Sequence, residues 1–379
     1  MVKRKVLFLI ESLVDGGAEK VLTTLVQHID KTKFDVTVCS ISGGGPYEQI
    51  VKRFVRYKAI ITEPRNAIFF SKYIYILKHH FVYKWLPLPL VYKLFVPQGN
   101  DVEIAYIEGF TTKLLSHSSN TSAKKYAWIH IDLFQNHWTK SIYRNLKEES
   151  DAYNCFNGIY GVSQTVLKAF QRRFPNVNTS VRIMYNPIDS NEIKSKALEM
   201  EKIRHCAPLL VTVGRLEPQK GYDRLVRIAK RLVDDGIEFE LWIIGIGSQE
   251  SDLKRYIKDN HLEDYVKLLG FHTNPYKYIV QGNLFVCSSY SEGYSTAVTE
   301  ALILGIPVIT TNCSGMAELL KNGECGMITE NDEQALYDGV KQLLEDDVLL
   351  EDYRKKAVER GRDFTIESLM KPIEKLLIE

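Results

Sequence analysis

Cysteine is scarce in this 379-residue chain, and the six present (Cys39, Cys155, Cys206, Cys287, Cys313 and Cys325) include no Cys-x-x-Cys pair and no zinc spacing. That excludes a disulfide framework and a zinc module. Thiols set in apolar runs such as Val36-Thr-Val-Cys39 read instead as buried groups in a reducing cytosol. No apolar run of about 18 residues or more occurs, so no membrane-crossing helix is expected. The first apolar run, Val6 to Ile10, is too short for the core of a secretory signal and reads as a buried strand. Neither sign of charge dominates: the net charge of +2 does not by itself suggest nucleic-acid binding, and no nucleic-acid partner is expected. Low-complexity segments and short internal repeats are also missing, and no Asp-x-Asp stands near a strand end.

What is there is a chain of 45% hydrophobic and 25% charged residues, the balance of a soluble globular protein. Its length suits two domains of about 150–200 residues each. Short β-rich runs alternate with helical spacing. Val6–Ile10, Phe34–Ile41, Val102–Ile107, Tyr126–Ile131, Gly158–Val162 and Val181–Met184 read as strands. The pattern restarts with Pro208–Val213, Phe239–Ile244, Val266–Leu269, Leu284–Cys287, Val308–Thr310 and Gly326–Ile328. Between them, Val21, Leu22, Leu25, Val26 and Ile29 recur at helical spacing, as do Leu225, Ile228, Ala229 and Leu232. The fold class is therefore α/β, with two successive doubly wound parallel sheets. The polar stretch Ser190–Arg204 marks the break, giving an N-terminal domain over 1–190 and a second over 191–361. From Asp332, a ready N-cap, the tail reads as helical to its end.

In such sheets ligands bind beyond the carboxyl ends of the strands. After Pro208–Val213 comes Gly214-Arg215-Leu216-Glu217-Pro218-Gln219-Lys220-Gly221. A forked guanidinium, a point-charge ammonium and a glycine before a helix suit a pyrophosphate. Taken alone, Arg215 and Lys220 read equally well as surface cations. After Leu284–Cys287 comes Ser288-Ser-Tyr-Ser-Glu292-Gly-Tyr294-Ser295-Thr296-Ala-Val-Thr-Glu300. Ser295 is a natural N-cap, and the helix start it opens offers orphan N–H donors to phosphate oxygens. Glu300 suits two adjacent hydroxyls, as on a ribose; a solvated helix glutamate is the rival. Gly245-Ile-Gly247 is a weak turn signal. Phe271, beside Gly270, reads either as a platform for a flat base or as core.

As a set, Gly214-Arg215-Leu216, Lys220-Gly221, Glu292-Gly293 and Glu300-Ala301, with seven residues between the two glutamates, resemble the family-4 retaining glycosyltransferases. Tyr185-Asn186-Pro187-Ile188-Asp189 resembles the element before that family's second domain. The likeness spans most of the chain. It implies two facing Rossmann-like domains, the GT-B fold, with the final helix, here 362–379, crossing back to the N-terminal domain. It implies that Arg215 and Lys220 bind a donor diphosphate, that Glu300 takes the ribose hydroxyls, and that Glu292 meets the transferred sugar. Backbone near Tyr294, Ser295 and Thr296 then approaches phosphate or sugar. The implied activity is metal-independent, retaining transfer of a hexose or N-acetylhexosamine from a nucleotide-diphosphate sugar, uridine diphosphate being the commonest nucleotide. The implied acceptor is a glycan or lipid-linked glycan of surface polysaccharide assembly. No cofactor is expected beyond the nucleotide-sugar substrate. The rivals are a nucleotide-sugar epimerase of the same architecture and a non-catalytic glycan- or nucleotide-binding protein.

In the first half, Asp15-Gly16-Gly17-Ala18-Glu19 follows the first strand, a loop that in similar enzymes lies near phosphate and acceptor. A plain glycine turn is its rival. His130 ends another strand; a lone histidine in an apolar run is ordinarily a core residue, and the resemblance sets it beside the donor sugar. Between Glu63 and Asp101 there is no acidic residue, while Lys72, Lys78, Lys84 and Lys93 stand among nine aromatic residues from Phe69 to Phe95. That composition suits an anionic membrane surface, though the lysines share no helical face and Pro87 and Pro89 interrupt the pattern. The expectation is a cytoplasmic protein, peripheral on the inner membrane face through residues 69–95. A solvated helical pair is the alternative.

Overall fold

The computed structural model describes residues 2–14, 16–62, 69–199 and 207–379, with backbone only for 69–72 and 74. The chain forms two compact units, one of Met1–Pro187 with Glu367–Glu379 and one of Ile188–Ile366.

The first unit is built on seven strands: β1 (Arg4–Ile10), β2 (Phe34–Ser42), β3 (Arg56–Ile61), β4 (Val102–Ala105), β5 (Lys124–Ile129), β6 (Gly158–Gly161) and β7 (Val181–Ile183). They lie in the order β3-β2-β1-β4-β5-β6-β7, every neighbouring pair parallel. The cause is the unbroken apolar runs. Val6 to Ile10 are all buried, and only a sheet covered on both faces can use such a strand. The strand order reverses between β1 and β4, where Leu9 stands opposite Ala105. The reading of the sequence had no strand at Arg56–Ile61. It is an edge strand that opens on exposed, charged residues, so its apolar content is too thin to signal burial.

The second unit holds β8 (Leu209–Val213), β9 (Glu240–Ile244), β10 (Val266–Gly270), β11 (Leu284–Cys287), β12 (Val308–Thr311) and β13 (Met327–Thr329). The order is β10-β9-β8-β11-β12-β13, again all parallel. Its switch point falls between β8 and β11. Phe285 pairs with Val211, so β8 and β11 end level at Val213 and Cys287. Leu225, Ile228, Ala229 and Leu232 of the helix Tyr222–Asp234 are buried on this sheet as their spacing requires.

The helix Ile366–Ile378 packs on the first unit, where Glu374 accepts a 2.9 Å hydrogen bond from the Asp30 amide and Ile373 and Leu377 are fully buried. Asp332 caps the helix Glu333–Glu345 by accepting from the Ala335 amide. Cys39, Cys287, Cys313 and Cys325 are free and buried, but Cys155 is exposed at the end of a helix, against the reading of buried thiols. Cys206 and Asp15 lie outside the described residues. Among the described residues no helix is long and apolar enough to cross a membrane.

Candidate active site

The two loops at the switch point of the second unit are stitched to each other. Gln219 donates from its side chain to the Ser291 carbonyl at 3.0 Å, and its own carbonyl accepts from the Tyr290 amide at 2.8 Å. Ser288 Oγ donates to the Lys220 carbonyl at 2.9 Å. Gly221, at φ +65°, comes so close to the Ser288 carbonyl that a Cβ would sit 2.1 Å from that oxygen, so only glycine fits there.

Across this seam Lys220 Nζ donates to Glu292 Oε1 at 2.7 Å. The same oxygen accepts from Ser289 Oγ at 2.6 Å. Glu292 is 6% exposed. Burial alone would push the Lys220 pKa down, but the adjacent carboxylate outweighs it and raises it, so the ammonium is held charged. Arg215 stands exposed at the mouth of the same loop. Gly214 lies beneath it against the Tyr222 hydroxyl.

Ser295 caps the helix Thr296–Ile303, accepting from the Val298 amide at 3.4 Å. Glu300, in the second turn, is only 2% exposed, which removes the reading of a solvated glutamate. Tyr294 and Thr296 are half-buried on either side of the cap. Phe271 is 46% exposed, which removes the reading of a core residue. It follows a register irregularity between Leu268 and Gly270, and Gly270 at φ +74° turns the chain off the sheet.

The structure therefore brings together Gly214, Arg215, Lys220, Glu292, Tyr294 and Ser295 on the loops after β8 and β11, with Thr296 and Glu300 on the helix that follows, and sets Phe271 beyond β10. Gly16, Gly17 and His130 stand on the first unit. Gly16 precedes the twelve-residue helix Gly17–His28 and supplies no side-chain cap, so the first amides are left to other acceptors. Glu19 reaches back over Gly16, where a Cβ would lie 2.3 Å from its carboxylate.

His130 directly follows β5, its ring 5.1 Å from that of Tyr106. Its Nε2 is buried and meets no hydrogen-bond partner among the described residues, which a satisfied core histidine would have. Burial pushes its pKa down to about 4, while a hydrogen bond with the Tyr106 backbone opposes the shift. Below pH 6.5 the unfolded chain therefore binds a proton that the folded chain refuses. The stabilisation is complete above that pH and is lost as the pH falls toward 4. The expected result is a melting temperature that declines through this window, with a shallower decline in His130→Gln. Identical slopes for the two proteins would show that His130 is not held neutral by the fold.

Two groups were missed from the sequence. Glu108, buried just beyond β4, accepts from the His130 amide at 2.9 Å and from Trp138 Nε1 at 3.3 Å. Its only sequence signal was an acid immediately past a strand end. Arg224, 1% exposed, donates to the Ser288 and Ser289 carbonyls, both at 2.7 Å. Its signal was a charge one helical turn before Ile228, on the edge of an apolar stripe.

Residues 194–364 match the family model described as glycosyl transferases group 1. The chain is 30% identical over 373 residues to an N-acetylgalactosamine-N,N'-diacetylbacillosaminyl-diphospho-undecaprenol 4-alpha-N-acetylgalactosaminyltransferase of Campylobacter jejuni, covering 94% of each chain. Among solved structures it is similar to Anabaena HepE in complex with UDP and glucose, at TM-score 0.77 and 18% identity over 99% of this chain and 100% of that one. It is also similar to Staphylococcus aureus TarM, at TM-score 0.76 and 15% identity over 99% of this chain and 100% of that one.

Proposed function

Because the chain belongs to the group 1 glycosyl transferases and is on that footing a glycosyltransferase, we propose that it moves a hexose or N-acetylhexosamine from a uridine-diphosphate sugar to a polyprenyl-diphosphate-linked glycan, with retention of anomeric configuration and without a resident metal. The observation that carries this reading is the Lys220–Glu292 pair at the switch point between β8 and β11. One cation there is already fixed, a second is exposed beside it, and a capped helix start follows on the neighbouring loop.

In this reading Arg215 and Lys220 hold the donor diphosphate, with Gly214 keeping the backbone close and the amides near Tyr294, Ser295 and Thr296 completing the anion seat. Glu300 accepts from the two ribose hydroxyls, and Phe271 lies along the base. Glu292 faces the sugar. His130 is assigned to the transferred sugar, and Gly16 and Gly17 to phosphate or acceptor. The acceptor oxygen bonds to the anomeric carbon on the face the diphosphate leaves. The carbon–phosphate-oxygen bond breaks, and the hydroxyl proton passes to the departing phosphate. Charge builds on the leaving group, so cations and amides fixed before the reaction are the largest expected catalytic term. The acceptor's lipid places the enzyme at a membrane surface, as a peripheral protein.

Three measurements test this. UDP at about 100 times its dissociation constant stabilises the native state by ~2.7 kcal/mol, a rise of roughly 5–10 °C in Tm for a unit of this size. Exhaustive dialysis against EDTA leaves turnover unchanged. The product anomer, read by NMR, matches the donor. Absence of any nucleotide-dependent shift, activity lost to EDTA and restored by a divalent cation, or an inverted product would each remove the corresponding part of the reading.

A further inference from the structure

We propose that the hairpin of residues 73–95 is a docking surface for an anionic lipid bilayer, and that it holds the carboxyl end of the first unit's sheet at that surface. The proposal rests on the lipid-linked reading of the acceptor and assigns the residues that meet the lipid.

The hairpin consists of the helix Phe69–His80, a π-helical turn Phe81–Trp85 and the helix Leu88–Phe95. Tyr73, Leu77, Phe81 and Trp85 recur every four residues along its first arm, and all are exposed, Tyr73 by 57% and Trp85 by 61%. Leu90 and Leu94 repeat the spacing on the second arm, Leu94 at 57%. Ile76, at 44%, is exposed beside them. Single exposed apolar residues need no explanation, but seven aromatic and aliphatic side chains on one hairpin do. Pro87 and Pro89 do not destroy the pattern. They cap and open the second helix, so the break is the bend of the hairpin.

Charge selects the partner. Lys78, Lys84 and Lys93 are exposed among these residues, and no acid occurs between Glu63 and Asp101. A patch of aromatic and aliphatic groups carrying only positive charge complements a bilayer interface with anionic headgroups: tryptophan and tyrosine favour that depth, and each lysine is drawn to the surface potential. Since no described helix is long and apolar enough to cross, the contact is lateral.

The opposite side of the hairpin is fastened to the strands that flank the switch point. Tyr83 donates to Glu11, the residue after β1, and its ring lies 4.3 Å from Phe110 and 4.2 Å from His79. Tyr92, fully buried, donates to Glu103 of β4 at 2.5 Å. The apolar surface is thus tied to the sheet at two points, the carboxyl end of β1 through Glu11 and the start of β4 through Glu103. A glycan whose lipid stays in the bilayer is presented at the end of the unit that carries Gly16, Gly17 and His130.

The test is co-sedimentation of the full chain with vesicles of phosphatidylcholine alone or mixed with phosphatidylglycerol. The full chain is expected to pellet with the mixed vesicles at low salt, to be released by high salt, and to ignore the neutral ones. The double variant Trp85→Ser/Leu94→Ser weakens partitioning by roughly tenfold or more. Lys84→Glu/Lys93→Glu weakens it by about fivefold per lysine lost. All four side chains are exposed, so the UDP-induced rise in Tm persists in both variants, and that arm reports on the donor site separately. Transfer to a vesicle-embedded acceptor falls with the partitioning, while transfer to a water-soluble acceptor analogue does not. The proposal is overturned if the wild type ignores anionic vesicles at low salt, or if the variants bind as it does. It is equally overturned if Trp85→Ser/Leu94→Ser changes the solution mass and leaves vesicle binding intact, which would give the face to a second copy of the chain.

Discussion

Lys220→Ala is expected to lower kcat/KM about 100- to 1000-fold while leaving the protein folded, the loss typical of one preorganised donor aimed at developing negative charge. The side chain is 22% exposed and pairs with Glu292, which after truncation keeps only the Ser289 hydroxyl among the partners described above, so a loss of stability accompanies the kinetic defect. What it removes is a fixed cation at the carboxyl end of β8. Arg215→Ala should fall in the same range for the same reason. Because Arg215 is exposed, its loss should change stability by no more than about 0.5 kcal/mol. A kinetic defect without a thermal one is the signature sought in Arg215→Ala. Lys220→Arg should recover little, since a planar fork cannot reproduce the single short bond to Glu292 Oε1. The pair supplies a sharper check. If Lys220 and Glu292 act as a unit, Lys220→Ala/Glu292→Gln should be scarcely slower than the worse single variant. Near-wild-type turnover in both Lys220→Ala and Arg215→Ala would sink the donor-site assignment.

How much of this was legible in the sequence depends on whether the cause was local. Twelve of the thirteen strands announce themselves as short apolar-rich runs, unbroken in the central strands buried on both faces, such as Val6–Ile10 of β1 and Leu284–Cys287 of β11. The thirteenth, Arg56–Ile61, lies at a sheet edge and carries lysine and arginine there, so nothing local distinguishes it from a loop. The Ser295 cap and the glycine before Tyr222 were readable from spacing. The burial of Glu300 was not, since a carboxylate on an eight-residue helix is ordinarily wet and only the packing of that helix decides otherwise. The basic-aromatic stretch shows the same division. Its lysines define no face, and read by charge alone the segment has no amphipathic order. The order is in the exposed apolar residues at every fourth position, which becomes visible once Val82, Val91 and Tyr92 are seen to face inward. Glu108 and Arg224 escaped because each acts on backbone from a distant segment, and chain distance hides such partners.

Arg224→Ala is expected to be the most damaging single change in the second unit that touches no proposed ligand. The guanidinium is buried, and among the described residues no carboxylate is in hydrogen-bond contact with it. It donates to the Ser288 and Ser289 carbonyls, to Asn331 Oδ1 at 2.9 Å, and lies 4.0 Å over the Tyr290 ring. Burial lowers its pKa, yet an arginine stays charged there, and the carbonyl dipoles are what make that tolerable. Truncation leaves the Ser288 carbonyl bare. Ser289 retains a 2.6 Å bond from Thr311 Oγ1, so the seam loosens on one side only. Hydrogen bonds from a charged donor contribute about 1.5–3 kcal/mol each, and a stranded buried carbonyl adds its own penalty. A loss of roughly 3–5 kcal/mol follows, or about 6–20 °C in Tm for a unit of this size. Function should fail with it. Ser288 and Ser289 are the residues that bond the Lys220 carbonyl and the Glu292 carboxylate, so a shift in their backbone moves both ends of the ion pair. Affinity for UDP should fall in Arg224→Ala even at temperatures where the protein remains folded. Arg224→Lys keeps the charge but reaches only one carbonyl, and should recover part of the stability and less of the affinity. An Arg224→Ala protein with unchanged Tm and unchanged UDP affinity would mean that the β11 loop holds its shape without the arginine, and that the donor site is set by the ion pair alone.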